Sequence, residues 1–110
     1  MKAQVNMATE MLVLPKATYN ILHQLTGEIR PDRALSLALK DLIELKLESI
    51  QNKIEVFEQK YGMNFALFDK KMKAEEIPDS YSYEVEWDYL HWEAAICDLK
   101  AIRKIAKWQA

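Results

Sequence analysis

Hydrophobic residues recur at helical spacing along most of this chain. Between Pro31 and Tyr61 they fall at every third or fourth position, a period typical of one long amphipathic helix. The positions are Leu35, Leu39, Ile43, Leu47, Ile50, Ile54, Phe57 and Tyr61. Similar patterns and end signals predict three further helices. They cover residues 15–25, residues 65–74, and the residues from the break at 77–80 to about Lys107.

The N-terminal part carries a different signal. Residues 9–14, Thr-Glu-Met-Leu-Val-Leu, form a short apolar run closed by Pro15, which cannot donate a hydrogen bond to a neighbouring strand. We therefore predict a mainly α fold, in which a short N-terminal β-strand is followed by four helices. A single strand leaves its backbone groups unpaired, and pairing with the same strand of a second copy would satisfy them. The pattern thus predicts a homodimer.

Composition limits the class of protein. Half of the 110 residues are hydrophobic and 29% are charged, and the formal net charge of −2 gives no overall attraction to nucleic acid or acidic membranes. No apolar run approaches the roughly 20 residues that a membrane-spanning helix needs, so no membrane association is expected. The single cysteine, Cys97, and the lack of an N-terminal signal core favour a cytoplasmic location.

The first part of the chain combines several motifs in a familiar order. Leu14-Pro15 precedes a short helix. The runs Thr-Gly-Glu-Ile-Arg-Pro-Asp-Arg-Ala-Leu (26–35) and Leu-Ala-Leu-Lys-Asp-Leu-Ile (37–43) follow it. Over residues 8–48 this order resembles a ribbon-helix-helix dimerisation and DNA-binding unit. The resemblance implies that residues 1–48 dimerise, that outward strand residues read base edges, and that the start of the second helix binds phosphates.

Candidate DNA-binding residues follow from this resemblance. Of the strand residues expected to face outward, Thr9, Met11 and Val13, only Thr9 can exchange hydrogen bonds with bases. Arg30 and Arg33 flank the start of the second helix, where backbone amides are available to a phosphate. The alternative is that both arginines are ordinary residues of a turn and a helix start on a dimerisation unit.

The second half has a distinctive pattern of acidic and aromatic residues. Eight acids and no lysine or arginine lie between Glu75 and Asp98, a stretch that also holds five aromatic residues. Helical spacing places Trp92 on the buried side of the last helix, whereas Tyr83 and Trp87 fall among the acids and are expected to face outward. Exposed rings surrounded by carboxylates are typical of an interface for a basic partner. The alternative is that all the rings belong to the core.

A second resemblance covers residues 50–105. Its motifs are Lys-Tyr-Gly-Met-Asn-Phe (60–65), Asp-Ser-Tyr-Ser-Tyr-Glu (79–84) and Tyr-Leu-His-Trp-Glu (89–93). They resemble the C-terminal region of small bacterial and archaeal antitoxin-like proteins, which are encoded beside a toxin. The resemblance implies that residues 49–110 bind and neutralise a basic cognate toxin, while the first half can bind operator DNA. The expected partner-contacting residues are Tyr81, Tyr83, Glu84, Trp87, Asp88 and His91.

The sequence contains no recognisable catalytic or metal-binding motif. His23 and His91 have no metal-ligand spacing, and neither a phosphate loop nor a nucleophile motif occurs. Cys97 lies in the apolar part of the last helix, so we expect a buried and inert thiol. We therefore predict a binding protein without a cofactor rather than an enzyme. Two other functions stay open, a DNA-binding regulator of ribbon-helix-helix type and a structural subunit of a helical bundle.

Overall fold

Four α-helices account for the regular structure of residues 12–109, the part of the protein that this computed structural model describes. They are α1 (Lys16–Thr26), α2 (Pro31–Tyr61), α3 (Phe65–Lys73) and α4 (Tyr83–Gln109). All four helices were predicted from the sequence, with bounds that differ by only a few residues. The periodic spacing of apolar residues is therefore a sufficient signal for the helices of this chain.

The predicted N-terminal strand and ribbon-helix-helix unit were wrong. Residues 12–14 are not in a strand, and no β-strand occurs within residues 12–109; residues 9–11 of the predicted strand lie outside the described part. The described fold is all-α. An apolar run before a proline is only a local signal, whereas a strand also requires hydrogen bonds from a neighbouring strand.

Local signals determine where the helices begin and end. Gly27 and Gly62 follow α1 and α2 with φ angles of 73° and 68°, a left-handed conformation that glycine adopts without steric cost. Asn64 caps α3, because its side-chain oxygen accepts a hydrogen bond of 2.9 Å from a backbone N–H in the first turn. At the start of α4, the Ser82 hydroxyl accepts a backbone hydrogen bond of 3.2 Å in the same way.

The chain divides into two compact units, with the boundary after Leu42, inside α2. In the first unit, the Tyr19 hydroxyl donates a hydrogen bond of 2.7 Å to the Ile29 carbonyl, which ties α1 to the turn before α2. No residue of α1 is buried, and Leu25 is 75% exposed. Ala34 in α2 is fully buried. The described part of this unit thus has very little hydrophobic core.

The second unit is an antiparallel helical hairpin with a short helix between its arms. Lys60, near the end of α2, forms an ion pair with Glu84, near the start of α4. One turn earlier in α2, Phe57 stacks on Trp92, which lies two turns further along α4. Contacting positions in α4 therefore rise as those in α2 fall, as antiparallel packing requires. α3 packs against α4.

Trp92 is the centre of the hydrophobic core of this hairpin. It is fully buried, and four rings surround it with centroid distances between 4.9 and 6.0 Å. Phe57 and Tyr61 come from α2, and Phe65 and Phe68 come from α3. Because one indole contacts rings from both other helices, aromatic packing holds the three helices together. Ile54, Ile77, Val85 and Ala95 complete the buried cluster.

Truncation of the central ring should therefore destabilise the protein far more than truncation of an exposed one. We expect Trp92→Ala to lower the free energy of unfolding by about 3–5 kcal/mol, the usual cost of deleting a buried aromatic side chain. Trp108→Ala, at a position that is 80% exposed, should change it by less than about 0.5 kcal/mol. Urea denaturation followed by circular dichroism measures both values. Equal effects of the two variants would contradict this description of the core.

Candidate functional site

The exposed surface of α4 has two faces that differ in chemistry. One face, which carries Trp87, His91 and Asp98, lines a groove against α2. The other we call the acidic aromatic face; it consists of Tyr81, Tyr83, Glu86, Leu90 and Glu93. Its α4 members follow one another at spacings of three or four residues, which places them along one side of the helix.

The acidic aromatic face presents apolar side chains to solvent among carboxylates. Tyr83 is 81% exposed and Leu90 is 62% exposed. Glu86 and Glu93 are exposed, and neither forms an ion pair with any residue in the described part of the chain. The outward positions of Tyr83 and of Trp87, which is 43% exposed, agree with the sequence prediction for these two rings. An apolar surface next to unpaired acids is thus available for contact.

The turn before α4 extends this face. The Tyr81 hydroxyl donates a hydrogen bond of 2.5 Å to Glu75, and this bond raises the pKa of Tyr81. Glu75 and Asp79 both have positive φ angles, of 57° and 56°. Glu76 and Asp79 are exposed and have no ion-pair partner within residues 12–109. The turn therefore adds negative charge and one ordered ring to the same end of the hairpin.

Asp88 is buried between α2 and α4, whereas contact with a partner requires an exposed side chain. Its residue is only 4% exposed, and its carboxylate accepts hydrogen bonds of 2.6 Å from the Lys60 ammonium and 2.5 Å from the Tyr61 hydroxyl. The same ammonium donates a bond of 2.7 Å to Glu84, whose side chain is 71% exposed. Asp88 was expected to contact a partner; its burial and its two intrachain donors exclude it from the candidate surface.

The Asp88 network changes the protonation behaviour of its members. Hydrogen bonds to Asp88 and to Glu84 raise the pKa of Lys60. Burial, reinforced by the hydrogen bond to Asp88, raises the pKa of Tyr61 to about 12. The hydroxyl therefore stays protonated, and able to donate to the carboxylate, across the whole neutral range.

The groove lies between α2 and α4 on a side of the hairpin that α3 leaves open. It has a volume of about 670 Å³. The rings of Trp87 and His91 stack in its wall with centroids 3.6 Å apart, and His91 Nδ1 lies 2.9 Å from the Trp87 carbonyl oxygen. The other lining residues are Ile50, Lys53, Val56, Phe57, Lys60, Asp88, Ala94, Ala95 and Asp98. The lining thus combines apolar side chains with charged ones on both sides, Lys53 and Lys60 from α2 and Asp88 and Asp98 from α4.

A second depression continues the groove along the hairpin. The two depressions share Ile50, Lys53 and Asp98 as lining residues. The continuation runs on towards Lys46 in α2 and Ile105 in α4. One open channel therefore follows most of the paired length of the two helices.

The candidate DNA-binding residues do not form a site in the described structure. Thr9 lies outside the described residues. The Arg30 guanidinium forms hydrogen bonds of 2.7 and 3.2 Å with Asp32, so a carboxylate already occupies it. Arg33 is exposed at the start of α2. With no strand in residues 12–109 to place against a groove of DNA, the ribbon-helix-helix mode of binding has no structural basis here.

Other chemistry-bearing residues are dispersed. Cys97 is exposed, which corrects the expectation of a buried thiol; the helix turns it away from the Trp92 core. Within the described part of the chain, no group of three or more His, Cys, Asp or Glu side chains is placed to hold a metal ion. None of the described helices is long and apolar enough to cross a membrane.

Sequence reasoning missed both the Asp88 network and the groove. A signal for the first existed, because Asp88 lies three residues after Val85 and four before Trp92, inside the stripe that turns towards the core. The sequence held no signal for the groove, because the groove depends on how two helices that are distant in sequence align. Lys53, Lys60 and Asp98 became candidate functional residues only through that alignment.

These features define a small protein that is all-α over its described residues, with a helical hairpin built on an aromatic core and two chemically distinct exposed faces. The chain matches the model of the uncharacterized protein MJ0235 family over residues 7–107, and it therefore belongs to that family. No curated protein and no solved structure matches it. Its function has to be inferred from the surfaces themselves.

The raised pKa of Tyr61 predicts a loss of stability in alkaline solution. A group whose pKa rises on folding contributes stability that is complete below its unfolded value, near 10, and is lost as the pH rises towards about 12. Tyr89, whose pKa its bond to Asp69 and burial also raise to about 12, adds to this loss. In Tyr61→Phe, we expect a smaller decrease in the urea midpoint between pH 9 and about pH 11.5 than in the unmodified protein.

The matched control for this measurement is Tyr83→Phe, which removes an exposed hydroxyl from α4. It should leave the pH dependence of the urea midpoint unchanged. A profile of Tyr61→Phe that parallels the unmodified protein would show that the Tyr61 hydroxyl does not couple stability to pH.

Removal of the buried carboxylate should cost more stability than removal of its exposed neighbour. Asp88→Ala leaves the half-buried Tyr61 hydroxyl without its acceptor, and we expect a loss of about 1–3 kcal/mol in the free energy of unfolding. Glu84→Ala removes an exposed ion pair with the same ammonium, so the loss should stay below about 1 kcal/mol. Chemical denaturation at pH 7 compares the two. A larger effect for Glu84→Ala would contradict the conclusion that the Asp88 carboxylate links α4 to α2.

Proposed function

We propose that this protein is an antitoxin-like interaction protein, which binds a basic protein partner through its acidic aromatic face and neutralises it. The observation that carries the proposal is the exposure of Tyr83 (81%) and Leu90 (62%) on the same side of α4 as the unpaired carboxylates of Glu86 and Glu93. Neither apolar side chain has a role in the core, since both point away from Trp92.

The face combines two contributions to binding. Tyrosine and leucine side chains supply apolar area that is removed from water on contact, and large aromatic residues are enriched among those that dominate interface energies. The carboxylates add attraction to a cationic surface and accelerate its approach. Because Glu86 and Glu93 have no ion pairs within residues 12–109, a partner cation would not have to displace an existing one.

The acidic aromatic face would neutralise a toxin by binding to the toxin's basic site for nucleic acid. A toxin that acts on RNA binds phosphates through basic side chains and often stacks bases on aromatic groups. Carboxylates and exposed rings offer the same two kinds of contact, so this face can occupy such a site and exclude the nucleic acid. A structural subunit of an unrelated complex is the alternative function, and it requires no inhibition of the partner.

The test uses the protein encoded by the adjacent gene as the partner. We expect a complex in which Tyr83→Ala and Leu90→Ala each raise the dissociation constant by about tenfold or more, as interface residues of this type do. Trp108→Ala is the matched control, because it removes a comparably exposed ring from the far end of α4. It should leave the dissociation constant unchanged. Calorimetric titration with each variant provides the values.

Charge provides an independent arm of the same test. Glu86→Lys and Glu93→Lys should slow association and weaken its dependence on salt concentration, whereas Glu44→Lys, an exposed position in α2, should not. Co-expression with the partner supplies the functional readout, since growth should be rescued by the unmodified protein and less by the variants of this face. Absence of a complex, or a complex without inhibition of the partner, would refute the antitoxin proposal.

A further inference from the structure

The two rims of the groove carry opposite charges that the chain itself leaves unpaired. Lys53 on α2 and Asp98 on α4 line the groove at the same level, where both of its depressions meet. No nitrogen–oxygen distance of 4.0 Å or less joins them, and neither has another ion-pair partner within residues 12–109. Lys46 continues the basic rim along α2. By contrast, Lys60 is already neutralised by Glu84 and Asp88.

Beside these charged residues, the lining of the groove exposes apolar side chains. Val56 is 63% exposed, Trp87 43% and Ile105 42%. Small residues lie beside them in the groove lining, among them Ser49, Ala94, Ala95 and Ala101. Small side chains allow another helix to approach closely, while the larger ones offer the area that such an approach would bury.

We propose that a second copy of this chain covers the groove, so that two hairpins pack face to face into a four-helix bundle. The two-fold axis runs parallel to the helices, which brings α2 of one protomer over α4 of the other. In this arrangement each hairpin supplies two helices, and the exposed apolar lining of one groove packs on that of the other.

The charges of the rims identify the occupant as a second copy. A rotation about an axis parallel to the helices exchanges the left and right rims but keeps each residue at its own level. Lys53 of one protomer therefore faces Asp98 of its partner, and the reciprocal pair forms at the same time. The single groove has a basic rim and an acidic rim, so it is complementary to its own two-fold copy.

The extent of the groove agrees with this arrangement. Its lining runs from Lys46 to Lys60 in α2 and from Trp87 to Ile105 in α4. At 1.5 Å per residue these stretches correspond to about 21 and 27 Å, or four to five helical turns. Contact over that length is typical of helix pairs in bundles.

This pairing leaves the acidic aromatic face outside the dimer. Glu86, Leu90 and Glu93 do not line either depression of the groove. The inference therefore goes beyond the proposed function and does not depend on it. It also differs from the strand-mediated homodimer that the sequence predicted, because its interface consists of helices.

Charge reversal in the full-length protein provides the test. Lys53→Asp and Asp98→Lys each place two pairs of like charges across the two-fold axis, so each should raise the dimer dissociation constant by about tenfold or more. The combined variant, Lys53→Asp with Asp98→Lys in one chain, restores both attractions and should return the constant to near its original value. Sedimentation equilibrium at several protein concentrations measures these constants.

Mixing supplies a second readout. An equimolar mixture of Lys53→Asp and Asp98→Lys should form heterodimers in preference to either homodimer, because both cross-pairs are then attractive. Native mass spectrometry separates the three species. Lys104→Asp and Glu44→Lys are the matched controls, since they reverse exposed charges that do not line the groove. Neither should change the dissociation constant.

Several results would overturn the proposal. They are a protein that stays monomeric at all concentrations, a dimer that neither reversal weakens, and a combined variant or mixture that shows no recovery. Circular dichroism and urea denaturation of each variant check that the fold is intact. All these positions are exposed, so the urea midpoint of each variant should match that of the unmodified protein.

Discussion

The second unit depends on one buried carboxylate. Asp88 extends from α4 to the last turn of α2, where it accepts hydrogen bonds from Lys60 and Tyr61. A charge that is 4% exposed is costly unless it is fully paired, and only one alignment of the two helices brings both donors to it. The Tyr61 ring that donates this bond also stacks on Trp92, so the polar contact and the aromatic core specify the same alignment. Displacement of one helix by a turn would lose both.

That alignment generates the surfaces as well as the core. With the Trp92 side of α4 turned inward, the helical period assigns Trp87, His91 and Asp98 to the groove and leaves Glu86 and Leu90 on the outside. The two faces differ in the charges that they carry. The groove combines both signs of charge with apolar side chains, whereas the outer face carries acids without bases.

The parts of this structure that could be predicted from the sequence are those with local causes. Gly62 and Asn64 mark the end of one helix and the start of the next, and a single period of apolar residues defines α2. The strand at residues 9–14 was wrong because its signal was equally local, although strands depend on neighbours. Two features depend on the alignment of two helices, which no short motif encodes. They are the pairing of Lys60 with Asp88, 28 residues away, and the position of Lys53 opposite Asp98.

The distribution of charge is compatible with both interactions that we propose for α4. A surface that pairs with its own copy meets its own charges, so an acidic face repels itself and is unsuited to a two-fold contact. Glu86 and Glu93 therefore favour a basic partner of a different kind, while the mixed rims of the groove, with Lys53 and Asp98, favour self-association. The two sets of residues are distinct, since Glu86, Leu90 and Glu93 do not line the groove. A dimer formed through the grooves would present two acidic aromatic faces, and a partner with two copies of its basic site would then bind with increased avidity.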